Sequence, residues 1–336
     1  MIRLVRAELR KAARPLVGAI ALGLVLAAAT FAWQQQALAN QEVGFVNSSL
    51  STPEGIAASA GQPQIPTCDQ LGLPPGPQCD QVIARAREAY QAQRDAMTHQ
   101  ADAYRAAVHT AAVQQNPLGA GQMAAWMFAS ILGAIAVFLL AAGQFGGEWT
   151  GGTIATVLTQ DSRRWRLLAA KLISLLVLAE GLLLLTWAVL AALAFLFQSQ
   201  YPMPASNQVS AAEAVAVAGP LLARSLLVTA AFCVLGVLAA VITRNALGTL
   251  LLALGGLIIW MALVLIHPLV YVSVGYWVSG WMGFTNDGFS SGQLWSGVPS
   301  GVSQPTELLG LVGLVAVVLV GVVVSTIRFQ RLDIAA

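Results

Sequence analysis

The chain has 336 residues, of which 57% are hydrophobic and only 10% charged, with a formal net charge of +2. Its mean hydropathy is +0.72. This balance excludes an ordinary soluble globular domain, gives no reason to expect nucleic acid as a partner, and is that of an integral membrane protein.

Crossing the hydrocarbon takes about 20 mostly apolar residues in a helix, because every backbone N–H and C=O must be satisfied within the segment. Six stretches meet that requirement: 15–33, 122–144, 172–197, 221–242, 246–266 and 308–327. None alternates in polarity as a barrel strand does. The expected fold is therefore an all-α membrane protein with six transmembrane helices, an amphipathic N-terminal interfacial helix, and a large extracytoplasmic helical-hairpin insert between the first two spans.

Basic residues near span ends stay on the cytoplasmic side. With six spans both termini share a side, which then holds Arg3, Arg6, Arg10, Lys11, Arg14, Arg163, Arg164, Arg166, Lys171, Arg244, Arg328 and Arg331. The other side keeps Arg85, Arg87, Arg94, Arg105 and Arg224 among several acids. Both termini are expected in the cytoplasm. In residues 1–14, Ile2, Val5, Leu9 and Ala12 share one helical face while the cations occupy the others, the pattern of a basic helix lying on a membrane surface or of a positive flank orienting the first span. That span has signal-peptide features, a basic start and the small residues Ala27-Ala28-Ala29, but its apolar run extends past a usual signal core, so it is expected to be retained.

The insert, 34–121, falls into two halves. The first is rich in Pro, Gly, Ser and Gln and contains Cys68 and Cys79, whose spacing and predicted oxidising side point to a disulfide. The second, Gln81 to Gln115, has no Gly or Pro and is dominated by good helix formers. Ile83, Tyr90, Met97 and Tyr104 recur every seventh residue, with Ala101 and Val108 between them, forming a seam for another helix. Its expected partner is a continuation of the first span through Gln34, Gln35 and Gln36 toward Glu42. The seam reads as an internal packing surface or as a surface for a substrate or partner.

Between the second and third spans lies the charged segment 145–171, with Glu148, Gly152, Thr153, Arg163, Arg164 and Lys171. Glu180 is the single acid deep within a span, about 13 Å of helix beyond Lys171. A carboxylate there either touches a transport path or makes an interhelical hydrogen bond, since burying it charged is expensive. Cys233 in the fourth span reads as a small core residue. The loop 198–220 follows the third span, and Arg224 is expected to snorkel near the outer surface. The region 267–306 is nearly uncharged yet broken by Gly, Pro and Ser, and carries Tyr271, Tyr276, Trp277, Trp281, Phe284, Phe289 and Trp295. It reads either as a partly re-entrant element or as an interfacial aromatic belt. Glycines in the spans, including Gly133, Gly255, Gly256, Gly310 and Gly313, permit close helix approach. The tail is 328–336.

No catalytic centre emerges. The two lysines, Lys11 and Lys171, follow Arg10 and Ala170, so no Gly-Lys-Ser/Thr phosphate loop exists. There is no Gly-x-Ser-x-Gly elbow and no His-Glu-x-x-His helix, and His99, His109 and His267 give no metal spacing. The chain is not expected to be an enzyme.

Six spans behind a basic amphipathic start, a loop reading Glu148-x-x-x-Gly152-Thr153 followed by Leu158, Arg163-Arg164 and Lys171, and the tail Arg328-Phe329-Gln330-Arg331-Leu332-Asp333 resemble the ABC-2 type permease family, membrane subunits of bacterial ABC exporters. The long insert departs from the short loop of simpler members. The resemblance implies a bacterial plasma membrane location and a dimer with a second permease chain, the same or paralogous. It also implies a cytoplasmic ATP-binding cassette subunit that carries the ATP and Mg, this chain having no cofactor of its own. Glu148, Gly152, Thr153, Arg163 and Arg164 would form the ATPase-coupling element, with Arg163, Arg164 and Lys171 also anchoring it to anionic lipid. The expected function is export of an amphipathic or hydrophobic substrate, such as a drug, a peptide or a lipid-linked molecule, by alternating access at the dimer interface. Two other classes remain open: a proton-coupled transporter using Glu180, and a non-transporting assembly or sensing subunit.

Overall fold

The computed structural model describes residues 17–30, 76–151, 164–200, 208–266, 269–284, 302–303 and 305–331, together with Val5, Ala7, Glu8, Trp33, Cys68 and Pro74. Among the described residues the regular structure is entirely helical. In chain order the helices are α1 (Val17–Thr30), α2 (Pro77–Gln115), α3 (Gly121–Phe128), α4 (Ile131–Ala141), α5 (Gly147–Thr150), α6 (Arg164–Gln200), α7 (Ala211–Thr243), α8 (Ala246–Leu265), α9 (Val274–Met282) and α10 (Glu307–Gln330). Among the described residues, four segments, Ile131–Thr150, Arg164–Gln198, Ala211–Thr243 and Glu307–Gln330, are long and apolar enough to cross a membrane. Val17–Thr30 and Ala246–Trp260 are shorter apolar helices.

The chain divides into two units. The smaller comprises Trp33–Ala112 and Met203–Val209. Its described part is the first thirty-odd residues of α2, pinned at their start by the Cys68–Cys79 disulfide, whose Cα atoms lie 5.8 Å apart. The helix begins at Pro77 rather than Gln81 because proline, which lacks an N–H, is preorganised for a first helical turn. Ile83 and Tyr90 of the heptad seam are half-buried. The side chains of Met97, Ala101 and Tyr104, and the proposed partner segment from Gln34 to Glu42, lie outside the described residues.

The larger unit is a helical bundle arranged around α7, which packs against α3, α4, α6, α8, α9 and α10. Its core is mainly Ala, Leu and Val, with an edge-to-face pair of Phe138 and Phe232 whose centroids lie 6.2 Å apart. Peripheral α10 instead exposes Leu308, Val312, Leu319 and Val320. In water that stripe would be a liability, but it suits a helix facing lipid or another apolar surface.

Side-chain caps set the helix starts. Ser210 accepts from the Glu213 N–H at 3.2 Å, and Ser210-x-x-Glu213 has the spacing of a capping box. This starts α7 ten residues before the expected Leu221 and carries it through Pro220. Ser130 accepts from Leu132 N and divides the expected second span into α3 and α4. Thr306 caps α10 and Ser273 caps α9. α6 begins at Arg164, so the residues up to Lys171 form its first two turns instead of a loop.

The aromatic-rich region contributes a 3-10 turn at Val270–Val272 and then α9. A Cβ on Gly310 would lie 2.3 Å from Trp281 N, and one on Gly313 would lie 2.4 Å from the Trp277 ring, so both glycines are needed for α9 to lie against α10. By contrast, nothing lies within 4 Å of a Cβ at Gly255 or Gly256. Arg224 does more than snorkel: its Nη2 is 2.8 Å from Glu307 Oε2, its guanidinium stacks over Trp281, and its carbonyl accepts from Trp281 Nε1 at 2.9 Å. These contacts hold α7, α9 and α10 together. Phe289 and Trp295 lie outside the described residues.

Candidate functional site

The charged segment that stands out in the sequence is built around Lys171. After α4 the chain takes one wide π turn, Ala142–Gly146, before α5. That turn passes so close to the α7–α8 connection that a Cβ on Gly146 would lie 2.4 Å from Ala246 Cα. The connection itself is tight. Arg244 adopts the left-handed conformation with φ of 54°, and Asn245 caps α8 by accepting from Gly248 N. The Thr249 hydroxyl donates to the Asn245 carbonyl at 2.6 Å.

The wide turn aims Phe145 and Glu148 at the second turn of α6. Lys171 Nζ lies 2.7 Å from Glu148 Oε2 and 2.9 Å from Glu8 Oε2, and 5.4 Å from the centroid of the Phe145 ring. The Lys171 side chain is only 1% exposed, those of Glu8 and Glu148 10% and 7%. An ammonium so buried is tolerable only when paired, and two carboxylates supply the pairing. One clamp thus joins the amino end, the start of α5 and the second turn of α6. This corrects the expectation that Lys171 anchors to lipid: it is wholly committed inside the protein. Near the clamp, Gln144 Nε2 and Trp149 Nε1 are buried donors with no acceptor among the described residues.

Of the expected coupling residues, Glu148 is therefore a buried member of an ion cluster. Arg164 donates from Nη1 to the Gln330 carbonyl at 3.1 Å, tying the start of α6 to the end of α10. Gly152, Thr153 and Arg163 lie outside the described residues, so the structure fixes both edges of that element without its middle. Glu8 was missed in the sequence. Its one signal was being the lone acid in a run of five cations.

Glu180 lies deep in α6, and both its carboxylate oxygens are buried without a hydrogen-bond partner among the described residues. The buried thiol Cys233 of α7 is within electrostatic reach. Two turns along the same face of α6, Trp187 Nε1 is likewise buried and unpartnered. A Cβ on Gly121 would lie 3.2 Å from that nitrogen, which places the indole against the start of α3, where Gln122 Oε1 is a fourth unsatisfied atom. Glu180, Trp187 and Gln122 give an otherwise apolar bundle a set of unused donors and acceptors, in a setting where each normally costs free energy. Among the described residues no group of histidines, cysteines and acids could hold a metal ion.

This is an all-helical protein of membrane type, with a buried ion clamp at its basic end. The family model described as "Protein of unknown function (DUF2705)" matches residues 103–335, most of the chain, and the protein belongs to that family. The match begins within α2 and leaves out the disulfide and α1. No curated protein and no solved structure matches the chain.

Proposed function

We infer that this protein is the membrane-embedded permease subunit of an ABC-2-like exporter. It would have six spans built on α1, α3–α5, α6, α7, α8 and α10, with both termini in the cytoplasm of a bacterium and residues 34–121 outside. ATP would be hydrolysed on a separate subunit docked between Glu148 and Arg164, and a second permease chain would complete the path. Amphipathic or apolar cargo fits the apolar bundle.

The observation that supports this reading is the Glu8–Lys171–Glu148 clamp. A segment that receives force from a motor must be braced at both ends, or the force dissipates in local bending. Here one edge is held by the clamp and the other by Arg164 on the last helix. The test is gentle purification from the native membrane followed by mass spectrometry of co-eluting proteins. A stoichiometric partner carrying Gly-x-x-x-x-Gly-Lys-Ser/Thr, lost on Thr153→Ala with Arg163→Ala, is expected. A chain that elutes alone in a detergent that preserves known complexes refutes the reading.

A second reading, proton-coupled transport through Glu180, draws on the unpartnered carboxylate. It requires uptake or efflux driven by a pH gradient and abolished by Glu180→Gln, whereas the ATP-driven reading requires activity that survives collapse of that gradient.

A further inference from the structure

Between α6, α7 and α10 lies an apolar cavity of about 190 Å³, lined by Trp165, Leu168, Leu172, Val237, Val322 and Ser325 among others. It exceeds the roughly 150 Å³ of an apolar cavity that stays dry and takes up benzene. One polar atom departs from this pattern. Ser325 is 2% exposed, and its hydroxyl has no hydrogen-bond partner among the described residues. Serines and threonines in helices ordinarily donate to a carbonyl one turn back. Ser174, Thr186, Ser225, Thr229 and Thr326 all do so here. Ser325, on the cavity wall, does not.

Arginines sit at the ends of two of the helices that line the cavity, the start of α6 and the end of α10. Arg164 reaches from α6 to the Gln330 carbonyl, Arg166 lies over the Trp165 ring, and Arg328 and Arg331 are exposed at the end of α10. Within 164–172 the one lysine, Lys171, is already paired with Glu8 and Glu148, which leaves the arginines as the cations of this region. Along α10 the chemistry is layered. Arg328 sits about 4.5 Å of helix beyond Ser325, and Val322 the same distance on the other side. Guanidinium, then hydroxyl donor, then apolar wall matches phosphate, ester carbonyl and acyl chain in a glycerophospholipid. Trp165 is 49% exposed, and indoles are enriched at the headgroup boundary of membranes.

We propose that this groove is a binding site for an anionic phospholipid, with part of one acyl chain in the cavity, an ester carbonyl accepting from Ser325, and the phosphate among Arg164, Arg166 and Arg328. The proposal needs these helices to lie in a bilayer but does not depend on the transporter reading.

The test uses the full chain in phosphatidylcholine nanodiscs containing a trace of phosphatidylglycerol with a diazirine in its acyl chain. Irradiation and peptide mapping are expected to place adducts on 165–172, 234–237 and 322–326. Phosphatidylcholine carrying the same diazirine should label these peptides several-fold less. Arg328→Gln should reduce the phosphatidylglycerol signal about fivefold, the effect of one cation near an anionic membrane surface. Ser325→Ala should reduce it while leaving the fold intact, and Val237→Phe should abolish it by filling the groove. If Val237→Phe does not fold, competition by unlabelled phosphatidylglycerol takes its place. Equal labelling by diacylglycerol carrying the same diazirine, adducts confined to other helices, or full competition by millimolar inorganic phosphate would each overturn the assignment, the last by making this a phosphate site.

Discussion

Replacing Lys171 by methionine should be far more damaging than replacing either of its partners. The substitution keeps the length and the apolar stem but removes the ammonium, stranding the buried carboxylates of Glu8 and Glu148 beside each other. Breaking a buried pair in this way costs about 3–5 kcal/mol. By the usual scaling of melting temperature for a unit of this size, that is a fall of roughly 10 °C. Glu8→Gln leaves the ammonium paired with Glu148 and an amide oxygen to accept a second of its hydrogens, so its cost should be about 1 kcal/mol. The triple variant Lys171→Met, Glu8→Gln, Glu148→Gln strands no charge and should recover at least half of the loss. The protein carries its own reporter. Cys68 and Cys79 are joined and Cys233 is a buried free thiol, so a thiol-reactive fluorophore reports unfolding as Cys233 becomes accessible. The charge argument fails if Lys171→Met melts within about 2 °C of the parent. It also fails if the triple variant is no better than the single one, because the loss would then be one of packing.

The same assay serves the glycine contacts: Gly313→Ala should cost about 1–3 kcal/mol because its methyl meets the Trp277 ring, whereas Gly255→Ala, with open space around it, should be neutral or gain up to about 1 kcal/mol of helix propensity. Arg224→Gln removes a pair whose members are 25% and 60% exposed together with the stacking on Trp281, so the change should be about 1–2 kcal/mol. Replacing Cys68 and Cys79 by serine should remove about 3 kcal/mol of loop-closure stabilisation. That loss would be seen as faster amide exchange in the first turns of α2, and unchanged exchange there would refute it.

The apolar helices were legible because a bilayer imposes a length that composition alone reveals, and the disulfide because two cysteines in a short polar stretch have few alternatives. The start of α7 was written in Ser210 and Glu213, ahead of the expected Leu221, and the helix runs through Pro220, a residue that helices within apolar bundles tolerate. Other features had no local signature. Ser130 looks like any hydroxyl in an apolar run until its backbone is seen to break. The pairing of Glu8 with Lys171 joins residues 163 positions apart, and a helical pattern gives a charge's position along its own helix but not the neighbour it meets. The unpartnered Ser325 hydroxyl is invisible for the same reason, since only three assembled helices define the space around it.

The π turn at Ala142–Gly146 accommodates one residue more than an α-helix would. Each residue of an α-helix advances its neighbours by about 100°, so that extra residue acts as a phase shifter between α4 and α5. Deleting one residue within 142–146 would give a more regular helix and leave the hydrophobicity of the span unchanged. It would also swing Glu148 about a quarter of a turn away from Lys171. The positions of the ionic groups at this end of the bundle are thus set independently of the apolar faces above them, and one inserted residue is enough to retune the one without repacking the other.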